Sequence, residues 1–448
     1  MKTTLLQAPR HVALACLITA AGLSGCDLFK IDDRPDPNGP SQEEILLNPT
    51  RDRLALLAVG AEASSRIDHE FWLIDAGVIG REYWRTSSAD PRFTADLLGK
   101  SGSVLDDNTF YLTRPWSARY RTIRTANTLL LGLGVNTDLT EGERAGGRGW
   151  AETWKAYQYL MNLNLTHENG IRFIDPGDDE SGPVVGYAAG LAGIASLLDD
   201  GAADLAVADD EFFFAVSSGF QGDLGTAPGF RGVNRGLAAR VAVYREDYAG
   251  ALAALAESFI DPAGDLEFGA YHIYSTASGD VLNLFFRPPQ NPAGDANLAH
   301  PSYLADIEAG DSRASKVVTL VEGPFTFDAL TSGQAVDRYE SDTSPIPIIR
   351  NAELILLRAE ARWFTGDLIG ATADLNTIRA AAGLLPVVVP PSDDAFVNAL
   401  LLQRRYELYA EGHRWVDMRR FNLLNTLPID RPGDDVWSEF PLPEAEGG

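Results

Sequence analysis

Near the C-terminus two glutamates stand four residues apart, Glu407 and Glu411, the spacing that places two side chains on one face of a helix. Two carboxylates so placed could work as an acid–base pair, provided one of them holds a proton near neutrality. Their neighbours point elsewhere. Arg404 stands three residues before Glu407, Arg414 three after Glu411, and Asp417 three further on. A guanidinium beside a carboxyl lowers its pKa and makes it a poor general acid. The pattern therefore predicts a structural chain of ion pairs through Arg404, Glu407, Glu411, Arg414 and Asp417, locking the last helices to the rest, with no catalytic residue.

A second kind of chemistry is carried by aromatics mixed with arginines. Sugar rings present flat C–H faces that stack on aromatic rings, while their hydroxyls need charged or amide partners. Arg81, Tyr83 and Trp84 offer both kinds of group within a few residues, and Tyr271, Tyr274 and Arg287 offer a second set. These six are the candidate ligand-binding residues. The alternative is that the same rings are core staples beneath loops.

Other constellations are empty of chemistry. The six histidines include His69-Glu70 and His167-Glu168, but neither has a second histidine four residues on, so no zinc-protease pattern exists and no metal site is expected. Solvated or helix-capping histidines are expected instead. The glycine-rich stretch Gly142 to Gly149 lacks a following Lys-Ser/Thr, which excludes a phosphate loop, and no Gly-x-Ser-x-Gly elbow occurs. No cofactor is implied.

The ends and the composition bound the setting. Lys2 and Arg10 precede an apolar run, Val12 to Leu23, too short to span a bilayer, and Leu23-Ser24-Gly25-Cys26 follows. This resembles the bacterial lipobox. It predicts a signal peptide over 1–25, an acylated Cys26 with a Pro/Asp/Gly-rich tether over 26–41, and one binding domain over 42–448. The only other cysteine, Cys16, would leave with the signal, so no disulfide or thiolate site remains. Two or more acyl chains give stable anchoring where one is marginal. The hydrophobic fraction, 45%, suits a chain with a sizeable core, and the net charge of −26 excludes non-specific nucleic-acid binding by repulsion from phosphates.

Most of what must position these residues reads as helix. Arg51 to Arg66, Pro115 to Leu133 and Trp150 to Leu165 carry apolar residues at helical spacing between Gly, Pro or Asn. Ala239–Leu255 and Ala359–Leu375 share a frame at an offset of 120 residues: small residue, aromatic, Asp turn, apolar, Ala, Leu. The frame resembles a tetratricopeptide (TPR) hairpin and predicts two equivalent helix pairs with Asp247 and Asp367 at their turns. Between the helical blocks, Phe71 to Phe110 and Asp261 to Tyr339 read as long irregular stretches, with a β-like run at Val281 to Phe286. Loops of this length in a compact domain are usually functional.

An ordered set of motifs then points to a family. Arg350-Asn-Ala-Glu353 opens a helix that continues to Glu360-Ala361, Gly366-Asp367 turns it, and Ala371 to Gly383 follows. Arg404-Arg405-Tyr-Glu407, Glu411-Gly412-His-Arg414-Trp415-Val-Asp417 and a closing Phe440-Pro441-Leu442-Pro443 complete the order, with Trp116 to Asn127 and Trp150 to Gly170 upstream. In that sequence, over nearly the whole chain, they resemble the SusD/RagB family of outer-membrane nutrient-binding lipoproteins. The resemblance implies a mainly α fold, a SusD-like α-α superhelix of TPR-like helix pairs with long irregular loops and a few short strands. It implies a lipid-anchored protein at the outer membrane, facing outward. It also implies a SusC-like TonB-dependent transporter as partner, an oligosaccharide or peptide as ligand, and no enzymatic activity. Two other readings stay open: a TPR-type scaffold that binds protein, and a surface glycan hydrolase, which needs two carboxylates roughly 5–10 Å apart across a cleft.

Overall fold

A computed structural model describes residues 46–178 and 182–447. The chain divides into two units, Met1–Asn48 and Pro49–Gly448. Of the first, only 46–48 are described, so Cys26, the signal segment and the tether lie outside the described residues.

The frame of the second unit is a series of packed helices. α1 (Arg51–Ser64) and α2 (His69–Ile79) lead through β1 (Tyr83–Thr86) and the single turn α3 (Arg92–Ala95) to two long helices, α4 (Phe110–Val135) and α5 (Glu141–Thr166). α6 (Tyr187–Leu205), α7 (Ala227–Tyr244) and α8 (Tyr248–Ala256) follow. Later come α9 (Ser302–Asp306), α10 (Asn351–Phe364), α11 (Leu368–Ala381), α12 (Asp393–Glu407) and α13 (Arg414–Arg420). Each of α4 to α7 packs on the next, α8 packs on α10, and α10, α11 and α12 pack on one another, which makes the superhelix. The start of α5 is fixed by a capping box, in which Thr140 accepts from Glu143 N–H and the Glu143 side chain accepts from Thr140 N–H. Its glycine-rich first half serves close approach, since a Cβ on Gly149 would lie 2.7 Å from the Gly201 carbonyl of α6.

The two related segments form equivalent hairpins, α7–α8 and α10–α11. Asp247 and Asp367 cap the second helix of each at φ −84° and −85°, accepting from Gly250 N–H and Gly370 N–H, both at 2.9 Å. The preceding turn also matches. Asp247 N–H bonds Ala242 O at 2.9 Å and Asp367 N–H bonds Arg362 O at 2.8 Å, across positive-φ residues Glu246 and Gly366. The mainly α SusD-like fold expected from the motifs is the fold observed.

The irregular stretches are more ordered than their composition suggests. Phe71–Phe110 holds most of α2, all of β1 and α3. α2 escapes the helical period because every one of its residues is buried, so no polar face alternates with the apolar one. Val281–Phe286 is not a strand. Asn283 arrests it as a turn, with its amide donating to Ser344 O at 2.8 Å and its carbonyl accepting from Phe285 N–H at 3.1 Å.

The strands lie elsewhere. β1, β5 (Ala296–Ala299), β9 (Gln334–Val336) and β6 (Val317–Thr319) form an antiparallel sheet in the order β1-β5-β9-β6, with Tyr83 opposite Ala299. β4 (Gly269–His272) pairs with β10 (Ile346–Arg350), which runs straight into α10 and so ties the loop region to the second hairpin. Two short antiparallel pairs, β2 (Ile171–Arg172) with β3 (Val184–Val185) and β7 (Phe325–Phe327) with β8 (Leu330–Ser332), stand apart from these sheets.

Candidate functional site

The Glu407–Glu411 segment is a break between helices, not one helical face. α12 ends at Glu407, Ala410 has φ 60° and Gly412 φ 83°, and α13 begins at Arg414. Gly412 is required twice over: its φ is left-handed, and a Cβ there would meet the Trp72 ring at 2.0 Å. The two glutamates are drawn together by a residue outside the motif. Arg350, fully buried at the end of β10, donates to Glu411 through Nη2 at 2.9 Å and Nε at 3.0 Å, to Glu407 Oε1 at 2.9 Å and to the Glu407 carbonyl at 2.5 Å. Burial alone would raise the Glu407 carboxyl, but Lys316, Arg350 and Arg313 overcome it and hold the pKa at about 2.

The other members of the expected network pair in a different order. Arg404 bonds Asp417 at 2.6 Å, and Arg420 joins Asp417 at 3.1 Å and Glu360 of α10 at 2.9 Å. Arg414 pairs with no glutamate of the motif; its Nε donates to Gly80 O at 3.2 Å, and burial pulls its pKa down to about 10. The cluster ties α12, α13, β10 and α10 together through two separate sets of contacts. Sequence spacing predicts neighbours along one helix, and the chain reversal at Ala410–Gly412 replaces them with partners from other elements.

The first aromatic set is interior. Tyr83 is fully buried, with its hydroxyl donating to Leu73 O at 2.7 Å and its ring edge-on to Phe285 and Tyr409. Trp84 is 3% exposed and its indole N–H donates to Asp430 Oδ2 at 2.9 Å. Arg81 is spent on backbone carbonyls, donating to Ile79 and Pro428 at 3.1 Å and Asp435 at 2.6 Å. A stacking platform must be reachable before its ligand arrives. These three residues are not, and they act as staples holding β1 to the C-terminal loop. Tyr274 is buried as well, and Arg287 is the most open of the six, with a quarter of its side chain exposed and its guanidinium 4.0 Å from Asp295.

Tyr271, itself only 7% exposed, borders an open cleft. It lies with Gln221, Glu267, Arg338, Tyr339, Glu340, Ser344 and Pro345 around a surface depression of about 330 Å³. Tyr271 hydrogen-bonds the Glu267 carbonyl, Arg338 Nη2 donates to Glu267 Oε2 at 2.9 Å, and Gln221 accepts from Gly269 N–H at 2.9 Å. Arg338 also reaches Glu411 at 3.4 Å, which links the cleft to the buried Arg350 cluster. Against its burial, the arginines Arg350 and Arg338 hold the Glu267 carboxyl below its usual range, the reverse of what a general acid needs. The arrangement can stack one ring edge and bond hydroxyls through a carboxylate, a guanidinium and an amide. Glu267, Arg338 and Gln221 are not singled out by spacing. Arg338-Tyr339 is, however, the same Arg–aromatic pairing that marks the other two sets.

The histidines depart from expectation in part. His413 precedes α13 but is buried and makes no side-chain cap bond, and His167 follows α5 with only its backbone N–H bonded to Leu163 O. His69 and His272 are buried with ring centroids 4.8 Å apart, and His300 is buried between Asp430, at 2.7 Å, and Ser302, at 2.8 Å. Among the described residues no group of histidines, cysteines and carboxylates is arranged to hold a metal ion. Nor, among them, is any helix long and apolar enough to cross a membrane.

The chain is similar to known proteins in part of its sequence and in its fold. Residues 327–437 match the SusD family model. A SusD-like protein, P38, of Formosa agariphila is 38% identical over 89 residues, a stretch that spans 18% of this chain and 18% of that relative. Surface glycan-binding protein A from Bacteroides thetaiotaomicron shares the fold with a TM-score of 0.68 at 14% identity, over 88% of this chain and 96% of that one. Surface glycan-binding protein A from Bacteroides uniformis does so with a TM-score of 0.63 at 18% identity, over 83% and 88%.

Proposed function

We propose that this chain, which is similar to the SusD family over residues 327–437, captures a nutrient oligosaccharide at the cell surface and passes it to a SusC-like TonB-dependent transporter in the outer membrane. Acylation of Cys26 would hold it there. The observation that carries the binding role is the Tyr271 cleft, where a ring, an ionised carboxylate, a guanidinium and an amide converge around an open space of about 330 Å³. The named function of the two surface glycan-binding proteins supports a sugar as the ligand class. The same cleft argues for binding without hydrolysis, because Glu267 is held ionised by two arginines.

Calorimetric titration of the detergent-solubilised chain with a panel of oligosaccharides tests the reading. Arg338→Ala should weaken binding of the responding glycan by about 1–3 kcal/mol, the scale of a lost charged hydrogen bond. A panel in which no oligosaccharide binds, or binding indifferent to Arg338 and Tyr271, refutes it.

The protein-binding role has support of its own. Between α11 and α12 the chain runs back along α11, with Val387 clasped by Asn376 through bonds of 2.8 and 3.0 Å. That clasp leaves Leu385 at 81% and Val388 at 86% exposure on the second hairpin. Exposed apolar clusters of this kind mark interaction surfaces. Val388→Asp should reduce co-purification of the transporter and leave glycan affinity unchanged.

A further inference from the structure

The 271–280 segment borders a second cleft, which no residue pattern in the sequence marks. Val59, Glu62, Ala63 and Arg66 of α1 form one wall, Ala215 to Ser217 another, and Ile273 with Ser278 to Asp280 the third, around about 440 Å³. The same two stretches of chain, 215–221 and 271–280, border the Tyr271 cleft. They are paired there, since Tyr271 N–H donates to Gly219 O at 3.0 Å. Residues 271 and 273 are about 7 Å apart along an extended chain, within the span of an oligosaccharide.

The charges in this second cleft do not balance. Arg66 is committed to Ile273 O at 2.5 Å and Asp280 at 2.8 Å, and Asp280 is held in place by Ser275 Oγ at 2.6 Å and Val281 N–H at 2.9 Å. Glu62 is the other carboxyl of the cleft, 9% exposed, with Ser217 as its hydrogen-bond partner. One guanidinium thus stands between two carboxyls over a floor of Val59, Ala63, Val216 and Ile273. Burial pushes the Glu62 carboxyl up in spite of Ser217 and Arg66, so a cation beside it would favour its ionised form.

We propose that the Glu62–Asp280 cleft is a subsite for the protonated amine of an amino sugar, carried by the same oligosaccharide that occupies the Tyr271 cleft. This rests on the glycan-binding reading. An ammonium group gains charge-assisted bonds from both carboxylates where a neutral hydroxyl gains ordinary ones. An anionic sugar meets two carboxyls and a single guanidinium already committed to Asp280.

The test compares a glucosamine hexasaccharide with its fully N-acetylated counterpart at pH 6, by calorimetry on the full chain in detergent. The two have the same backbone and differ in charge. The amine form should bind about ten- to a hundredfold more tightly, the range of a charged hydrogen bond converted to affinity. Glu62→Gln and Asp280→Asn should each shrink that ratio severalfold while the neutral form keeps its affinity; unchanged melting temperatures show that both variants are folded. Equal affinity for the two sugars overturns the proposal, as does a ratio that survives both substitutions. Binding of trilysine as tightly as the amino sugar overturns the choice of a sugar. If both sugars bind in a Tyr271-dependent way but without preference for the amine form, this inference fails and the glycan-binding reading stands. If no oligosaccharide binds, both fail.

Discussion

Replacing Arg350 by methionine should destabilise the fold by about 3–5 kcal/mol, the cost of breaking a buried ion pair by removing one partner. Arg350 is 0% exposed and its guanidinium is the shared partner of Glu407 and Glu411, 6% exposed each. After the substitution Glu411 retains Arg338 at 3.4 Å, and Glu407 retains Arg313 at 3.7 Å and nearby Lys316. Linkage gives a similar size. The Glu407 pKa falls from the ordinary glutamate value of 4.5 to about 2, which corresponds to about 3 kcal/mol. Because the folded-state value is the lower one, this contribution is full above about pH 4.5 and is lost as pH falls towards 2. Urea unfolding followed by tryptophan fluorescence at pH 7 and pH 3.5 measures both effects. Arg350→Met should start lower at pH 7, and the gap between wild type and Arg350→Met should narrow at pH 3.5, because only wild type carries the Glu407 contribution that is lost with acid. Adding Glu411→Gln to Arg350→Met should recover stability, since an orphaned charge becomes a neutral amide. A loss under about 1 kcal/mol for Arg350→Met, or a Glu411→Gln cost that is the same in both backgrounds, would show that the cluster is not coupled as described.

Trp84→Ala should cost about 3–5 kcal/mol in the same unfolding assay, because the ring is buried and bonded to Asp430; glycan affinity of the folded fraction should not change, and a selective loss of affinity would restore Trp84 as a binding residue. Burial, the largest influence on Glu82, raises its pKa to about 8. Since the folded form binds the proton more tightly, stability should fall as pH rises from about 4.5 to 8, and Glu82→Gln should remove that slope; a slope unaltered by the substitution would refute the assignment. Cys26→Ala should move the protein from the membrane to the soluble fraction, and a variant that stays membrane-bound would end the lipobox reading.

The two hairpins are legible in the amino-acid sequence because local chemistry makes them. Asp247 and Asp367 cap from their own side chains onto an N–H three residues away, and the small residues beyond them are chosen by helix contact within the same unit. The capping box at Thr140 is legible for the same reason. The order of motifs is likewise enough to indicate the family and its mainly α fold. The aromatic sets show the limit. Tyr83-Trp84 and Tyr271 have the same composition as a sugar platform, and nothing in their neighbours says which will be covered. β1 is roofed by residues 428–435, more than three hundred positions away, whereas Tyr271 of the equally buried β4 keeps an edge at the rim of a cleft.

The Arg–Glu cluster shows the same division. That Glu407 and Glu411 would be paired with arginine followed from residue type and spacing, since buried carboxylates need cations. Which arginine would do it did not follow. Helical spacing offered Arg404 and Arg414, but the left-handed turn at Ala410 and Gly412 redirects both glutamates towards Arg350 at the end of β10. Residue type and near-neighbour spacing therefore determined the helices, their caps and the need for charge pairing, because those energies act over a few residues. Accessibility, the identity of each ion-pair partner and the two clefts were decided only by tertiary structure, because each depends on segments that meet in space from distant parts of the chain.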